Sequence, residues 1–426
     1  MRVLVLGGGG REHALVRRLA ADPGVSVVCA PGNPGIAQLV PTHPVDLSDP
    51  EAMATLAARE QIDLTVVGPE LPLSVGVADR FAANGAVLLG PTAAAAQLET
   101  SKAFAKAFMA RHQVPTARFH TAESAADALS VVRSSRFGFP VVLKADGLAA
   151  GKGVVIANDL AEAEAAIHGA MTDGRFGRAG ERLVIEECLI GPEVSFFVLS
   201  DGTRALPIGT AQDHKRIFDE DLGPNTGGMG AFAPSPLIDD ALQARVMGEI
   251  VWPVIRGMAA EGTPFKGFLY VGLMLTADGP KVIEFNVRLG DPEAQVILPR
   301  IAEPLTPLLD AAARGSLVQE RCALSSDALV GVVLASRGYP ERAESGQSIT
   351  GLDEATRLGA AVFHAGTALM GDRLVTAGGR VLTVVASGLT FDAAIARAYA
   401  AVNTIAFDGM QYRSDIGRKA VDVRNA

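Results

Sequence analysis

The residues best equipped for chemistry lie between positions 281 and 295, KVIEFNVRLGDPEAQ. Glu284 and Asn286 interrupt an apolar run that reads as a strand, and side chains two apart on a strand share a face. Strict alternation puts Val282, Glu284 and Asn286 on one face and Ile283, Phe285 and Val287 on the other. A carboxylate and an amide oxygen so placed suit one hard cation such as Mg2+. Arg288 follows two positions on, its planar fork matched to phosphate or carboxylate oxygens. Gly290-Asp291-Pro292-Glu293 ends the strand and predicts a helix starting at Pro292, with Asp291 as its N-cap. A surface salt bridge at a strand end would explain one charged pair. It does not explain two polar residues inside an apolar run, so the segment reads as a metal–phosphate site.

A second segment, KADGLAAGKGV at 144–154, is built for anions. Gly147, Gly151 and Gly153 let backbone N–H groups approach phosphate oxygens, and Lys144 and Lys152 add charge. It is not a Walker A loop, because only three residues separate Gly147 from Gly151 and Gly153 stands where Ser or Thr would hold Mg2+. The order strand, loop, strand predicts a hairpin that closes over a triphosphate, with Lys144 at the strand end. An ordinary glycine hairpin with solvated lysines is the weaker reading beside a downstream metal–phosphate strand. Further on, an apolar strand at 183–187 runs into Glu186, Glu187 and Glu193, which suits an adenine pocket with a carboxylate for ribose hydroxyls.

These segments need a scaffold. Apolar runs at 3–6, 25–29, 64–67 and 87–89 alternate with helical patterns near 12–21, 49–60 and 74–83, as in a small doubly wound parallel sheet. Ser48-Asp49-Pro50-Glu51 reads as a capping box for the second helix. Glycine-rich turns at 7–12, 31–35 and 68–70 follow the strands, where ligands of such sheets bind. GxGxxG fails in both registers of the first turn, where Glu12 or His13 replaces the third glycine, so a dinucleotide is not expected. A single phosphate on loop N–H groups is. From about 101 a helix carries Lys102 and Lys106, a small α/β lid spans about 118–188, and longer strands follow to about 312. Beyond 320 a further α+β module opens with a strand at 328–336 and has no polar cluster legible as chemistry.

Hydrophobic content of 49% against 20% charged residues in 426 describes a folded chain long enough for several cores. A net charge of -9 without a Lys/Arg block argues against a nucleic-acid partner. Cys29, Cys188 and Cys322 have no metal or redox spacing and are expected as free thiols in a reducing compartment. No apolar run approaches the ~20 residues of a membrane span, and the N-terminal apolar stretch is too short for a signal-peptide core. A cytoplasmic protein is expected.

Taken together, the segments resemble the ATP-grasp superfamily and, within it, the phosphoribosylamine–glycine ligase family. GGGGREHAL at 7–15, PGNPG at 31–35 and GPE-PL at 68–73 look like that family's N-terminal region. KADGLAAGKGV, QDHKR at 212–216, GPNTGGMGA at 223–231 and RLGDPE at 288–293 look like its core. The chain departs from the family pattern at Cys188, Pro192, Glu220, Leu222 and Phe232-Ala233. The resemblance implies a multidomain α/β and α+β fold: an N-terminal doubly wound domain at 1–100, an ATP-grasp core at 101–315 with a mobile lid, and a small C-terminal α+β module at 320–426. It implies ligation of glycine to 5-phospho-D-ribosylamine, with ATP as co-substrate and Mg2+ or Mn2+ as cofactor, through glycyl phosphate. In that reading Glu284 and Asn286 hold metal, and Lys102, Lys144, Gly147, Gly151, Lys152 and Gly153 hold phosphates. Glu186, Glu187 and Glu193 meet adenosine, and Arg288 meets the transferring phosphoryl group. Asp213 pairs with the glycine ammonium in a pocket shaped by Asn225, Thr226, Gly227, Gly228 and Asp291. Gly9, Gly10 and Arg11 take the ribosylamine phosphate, with Asn33 and Glu70 near the sugar. His214 is expected to make a local hydrogen bond. Another ATP-grasp carboxylate–amine ligase of purine metabolism, or an ATP-binding regulator without turnover, is the alternative. Small-molecule partners and a monomer or weak homo-oligomer are expected.

Overall fold

Strands β1 (Arg2–Gly7), β2 (Ser26–Pro31), β3 (Leu64–Val67) and β4 (Leu88–Leu89) form a parallel sheet in the order β2-β1-β3-β4. Residues of β1 are apolar on both faces: Val3 and Val5 enter one core, Leu4 and Leu6 another. A strand buried on both sides has no polar face to expose, which is why this sheet is covered by helices. The computed structural model describes residues 1–148 and 153–425, so Gly151 and Lys152 lie outside the described residues. The helix expected at 49–60 runs Pro50–Arg59, but Ser48 does not cap it. Asp49 accepts from the Glu51 and Ala52 N–H groups, while Ser48 turns to Asp46. Pro50, lacking an N–H, fits the first helical position and moves the cap one residue on.

The segment expected as a lid carries β5 (Phe119–Ala122), β6 (Val141–Ala145), β7 (Val154–Ala157) and β8 (Leu183–Glu187), antiparallel in the order β5-β8-β6-β7. Helices Ala125–Arg133 and Leu160–Ile167 give it a core of its own, with Leu143, Ile185, Val131 and Ile167 inside.

The core strands are β9 (Glu193–Asp201), β10 (Ala205–Asp213), β11 (Arg216–Phe218), β12 (Leu222–Asn225), β13 (Gly230–Ala233), β14 (Lys266–Thr276) and β15 (Gly279–Asn286). The C-terminal region adds β16 (Ala328–Ala335), β17 (Ala361–His364), β18 (Thr367–Met370), β19 (Arg373–Thr376) and β20 (Arg380–Gly388). One eight-stranded sheet joins both regions in the order β15-β14-β9-β10-β13-β16-β20-β17, while β11–β12 and β18–β19 are separate hairpins. The C-terminal module is therefore sewn to the core through β13–β16 pairing, Gly230 opposite Val332. β10 and β13 escape a reading of apolar runs because Pro207, Gly209 and the glycines before β13 dilute the pattern. Among the described residues no helix is long and apolar enough to cross a membrane.

One irregularity matters for the site. Between β14 and β15, Gly272 pairs with Glu284 but Leu273 pairs with Val282, leaving Ile283 as a bulge. A bulged residue shifts the alternation by one. Val282 therefore joins Phe285 and Val287 in the buried core, contrary to strict alternation, and Glu284 and Asn286 alone share the opposite face.

Candidate active site

Neither the Glu284 carboxylate nor the Asn286 amide has a hydrogen-bond partner among the described residues. Burial would push the Glu284 carboxyl up, but Lys102, Lys215, Lys144 and Arg288 outweigh it and hold the pKa below the usual carboxylate value. An ionised carboxylate under the influence of four cations, with an unclaimed amide two residues on, has the chemistry to hold a cation and its polyphosphate. No three His, Cys, Asp or Glu residues cluster as metal ligands among the described residues. Two protein oxygens fit an ion whose remaining ligands are phosphate and water.

Arg288 sits at the end of this strand, its guanidinium fixed by Glu99 at 2.9 Å and Glu70 at 3.2 Å. Burial works against the charge, yet Glu99 and Glu70 raise the Arg288 pKa further above its already high value. Glu99 is buried, and its other oxygen accepts the Val287 N–H at 2.7 Å. Burial raises its pKa, with Arg288 opposing. Sequence reasoning missed Glu99, which lies in the short helix Gln97–Thr100 with no local motif around it.

The bulge carbonyl of Ile283 accepts from Lys144 Nζ at 3.0 Å, and Lys144 also pairs with Glu186 at 3.0 Å. Lys106 pairs with the second Glu186 oxygen at 2.9 Å and bonds Thr116 at 2.7 Å. One buried carboxylate thus serves two lysines. Burial lowers Lys106 to about 8 against the pull of Glu186. Glu187 is turned toward Arg118, 2.6 Å from its Nε. Asp146 accepts from Ser101 Oγ at 2.9 Å and Ala103 N at 3.0 Å, tying the lid hairpin to the start of the helix Lys102–Arg111. Gly147 is required there, since a Cβ would stand 2.6 Å from that of Ala179.

Across the cleft, Asp213 ends β10 and pairs with Lys215 at 3.2 Å, and Lys215 reaches Glu193 at 3.4 Å. Burial alone would lower the Lys215 pKa, but Asp213, Tyr270 and Glu193 hold it well above the usual value. Thr226 folds the following loop by bonding the Lys215 carbonyl through N–H and Oγ1, at 2.7 and 2.8 Å. Asn225 pairs with Arg216 in the β11–β12 hairpin. Two residues of the C-terminal region close the loop. Arg380 donates to the carbonyls of Gly227 at 2.6 Å and Asp291 at 2.5 Å, and Tyr339 OH accepts from Gly227 N at 2.8 Å. Gly228 N bonds Thr226 Oγ1 at 2.9 Å. The region read as free of chemistry thus reaches the site.

Asp291 does not cap a helix. The helix is Glu293–Ile297, without a side-chain cap, and Asp291 instead takes Gln295 Nε2 at 2.8 Å and Arg380 at 3.3 Å. Burial opposes the Asp291 charge, but Arg380 and Arg11 hold its pKa below the usual value. Glu293, also overlooked among the expected site residues, is buried and accepts from Ser195 Oγ at 3.2 Å. Burial first, then Asp213, pushes its pKa up to about 7. His214 departs from expectation as well. Its backbone N–H bonds the Gly230 carbonyl at 2.9 Å, but both ring nitrogens are buried without a hydrogen-bond partner among the described residues. Burial, then Lys419 and Arg413, takes its pKa down to about 4.

The three N-terminal turns converge on the same strand end. Arg11 bonds the Leu289 carbonyl at 3.0 Å and Glu12 at 2.5 Å; Glu12 also takes the Gly9 N–H at 2.6 Å. Gly10 lies against Gln295, whose Nε2 would meet a Cβ there at 2.6 Å. Asn33 caps the helix Pro34–Ala37 and donates to the carbonyls of Gly8 at 2.9 Å and His364 at 2.8 Å. The Asn33 amide and the Gly9 N–H are thus engaged within the fold, while Glu70 faces Arg288.

Three family models match in succession: Phosphoribosylglycinamide synthetase N domain over 1–99, its ATP-grasp (A) domain over 100–294, and its C domain over 329–419. A phosphoribosylamine–glycine ligase from Xylella fastidiosa is 52% identical, with 99% of this chain and 98% of the relative covered. The Escherichia coli protein of that name is 49% identical, with 99% of each covered. The crystal structure of the Thermotoga maritima phosphoribosylamine–glycine ligase superposes with a TM-score of 0.85 at 33% identity, over 97% of this chain and 100% of that one. A biotin carboxylase from Campylobacter jejuni shares the fold, with a TM-score of 0.73 at 17% identity over 98% and 94%.

Proposed function

The chain belongs to the phosphoribosylglycinamide synthetase family, and from that membership we propose that it joins glycine to 5-phospho-D-ribosylamine at the expense of ATP, giving glycinamide ribonucleotide, ADP and phosphate. It is a carbon–nitrogen ligase of purine synthesis acting on small molecules, and we assign it to the cytoplasm. The observation that carries the residue assignment is the unclaimed Glu284–Asn286 pair facing Lys102, Lys144, Lys215 and Arg288.

In this assignment Glu284 and Asn286 would hold a divalent cation, Mg2+ or Mn2+, which when bound neutralises charge on the terminal phosphates. Lys102, Lys144 and the 147–153 loop grip the triphosphate, and Glu186, Glu187 and Glu193 line the adenosine end. A glycine carboxylate is a poor acyl donor, so it first takes the γ-phosphoryl group. Positioning and charge neutralisation supply most of the acceleration in such transfers. Arg288, held in place by Glu99 and Glu70, meets the equatorial oxygens of that group. Asp213 takes the glycine ammonium beside the 225–228 loop and Asp291. Gly10 and Arg11, with the neighbouring Gly9, lie where the ribosylamine phosphate docks, with Glu70 near the sugar. Asn33 shapes that loop. The domain division follows at about 100 and 315–320.

Phosphate release from ATP, with each substrate supplied singly and together, tests the reading. Release should require glycine and phosphoribosylamine together and accompany glycinamide ribonucleotide formation. Turnover with a different acid or amine would move the chain to another ligase.

A further inference from the structure

Amide formation from an amine and an acyl phosphate releases a proton. The nitrogen of a ribosylamine is weakly basic and arrives as a neutral NH2 group. As it attacks the glycyl carbonyl, the C–N bond forms and the acyl C–O bond breaks. The oxygen leaves with its bonding pair as inorganic phosphate, and one N–H proton must be taken up. Most carboxylates of the site cannot take it. Glu284 is ringed by four cations, and Asp213 is paired with Lys215 at 3.2 Å. Glu99 is bound to Arg288 and to the Val287 N–H. The His214 ring nitrogens are buried with no hydrogen-bond partner among the described residues.

Glu293 differs. It starts the helix Glu293–Ile297, and its carboxylate is folded back over Gly290, where a side chain would collide with it. The Ser195 hydroxyl donates to Oε1, and Tyr270 lies behind that hydroxyl at 3.1 Å. The charged groups acting on it are Asp213 at the end of β10, Lys215 just beyond it, Arg288 after β15 and Arg380 on β20. Its carboxylate thus feels both the group assigned to the glycine ammonium and the group assigned to the phosphoryl oxygens.

Resting on the ligase reading, we propose that Glu293 is the catalytic base of the second half-reaction, taking the proton that the ribosylamine nitrogen loses as it displaces phosphate. Solvent receives it when products leave. Its pKa, raised to about 7 by burial and Asp213, suits a group that must accept and then release a proton near neutrality.

The test compares two nucleophiles. Hydroxylamine trapping reports glycyl phosphate formation and needs little help in losing its proton. Glu293→Gln should lower glycinamide ribonucleotide formation by roughly 10²–10⁴-fold while still giving glycyl hydroxamate with ATP and glycine. The unaltered protein should lose rate below neutrality, and the residual rate of Glu293→Gln should lack that fall. Glu293→Asp, which keeps a carboxyl group, should retain that fall at a reduced rate. Loss of both products in Glu293→Gln, or retention of both, would overturn the role. If the unaltered protein gave neither product, the ligase reading itself would fail.

Discussion

Replacing Arg380 by methionine removes the bonds to Gly227 O and Asp291 O and the ion pair with Asp291, but keeps much of the side-chain bulk. Hydrogen bonds from a charged donor contribute about 1.5–3 kcal/mol each, and breaking a buried pair costs about 3–5 kcal/mol. Arg380 and Asp291 retain 21% and 19% side-chain exposure, so solvent recovers part of that loss. A net cost of about 2–3 kcal/mol is expected, borne by the loop that carries Thr226 and Gly228. At about 1.4 kcal/mol per decade this is a rise of roughly 30- to 150-fold in KM for glycine or phosphoribosylamine. The KM for ATP should move less than about threefold (under 0.7 kcal/mol), because among the described residues Arg380 bonds only Gly227 and Asp291. Guanidinium at tens of millimolar should restore part of the activity of Arg380→Ala. Equal rises in all three KM values, or an unchanged KM for both glycine and the amine, would refute the reasoning.

Arg288→Lys keeps the charge but cannot bridge Glu70 and Glu99 with a planar fork, so kcat should fall roughly 10²–10³-fold while both carboxylates keep a cation nearby; retained kcat would remove Arg288 from the chemistry. Burial lowers the His364 pKa from the usual 6.5 of a histidine to about 4. A depressed histidine leaves stability intact above 6.5, and the stability is lost as pH falls toward 4. Between those limits it adds a slope of about 1.4 kcal/mol per pH unit. His364→Gln should therefore flatten urea midpoints between pH 6 and 5, and an unchanged slope would contradict that burial. Lys144→Met should raise the KM for ATP without releasing Glu186, which keeps Lys106 at 2.9 Å; nucleotide titration checks it.

Much of this site was legible because its parts are local. The face shared by Glu284 and Asn286 follows from strand periodicity. The Ile283 bulge was not legible, since a register slip depends on the partner strand and leaves no mark on its own segment. The same holds for Glu99, which meets Arg288 only after the chain has folded, and for Arg380, which arrives from a strand the sequence treats as remote. Asp291 resembled an N-cap because Pro follows it, yet Arg380 and Gln295 compete for its carboxylate and win. Glu293 was visible in its motif, but only burial beside Asp213 marks it as unlike the other acids.

In the ligase reading the glycine carboxylate is activated by phosphorylation before the amine attacks. The direct test supplies glycine with ¹⁸O in its carboxylate, together with ATP, a divalent cation and phosphoribosylamine. One ¹⁸O should appear in each released phosphate, read by mass spectrometry, and Glu284→Ala should abolish the transfer. Phosphate released without ¹⁸O while glycinamide ribonucleotide still forms would contradict the acyl-phosphate route.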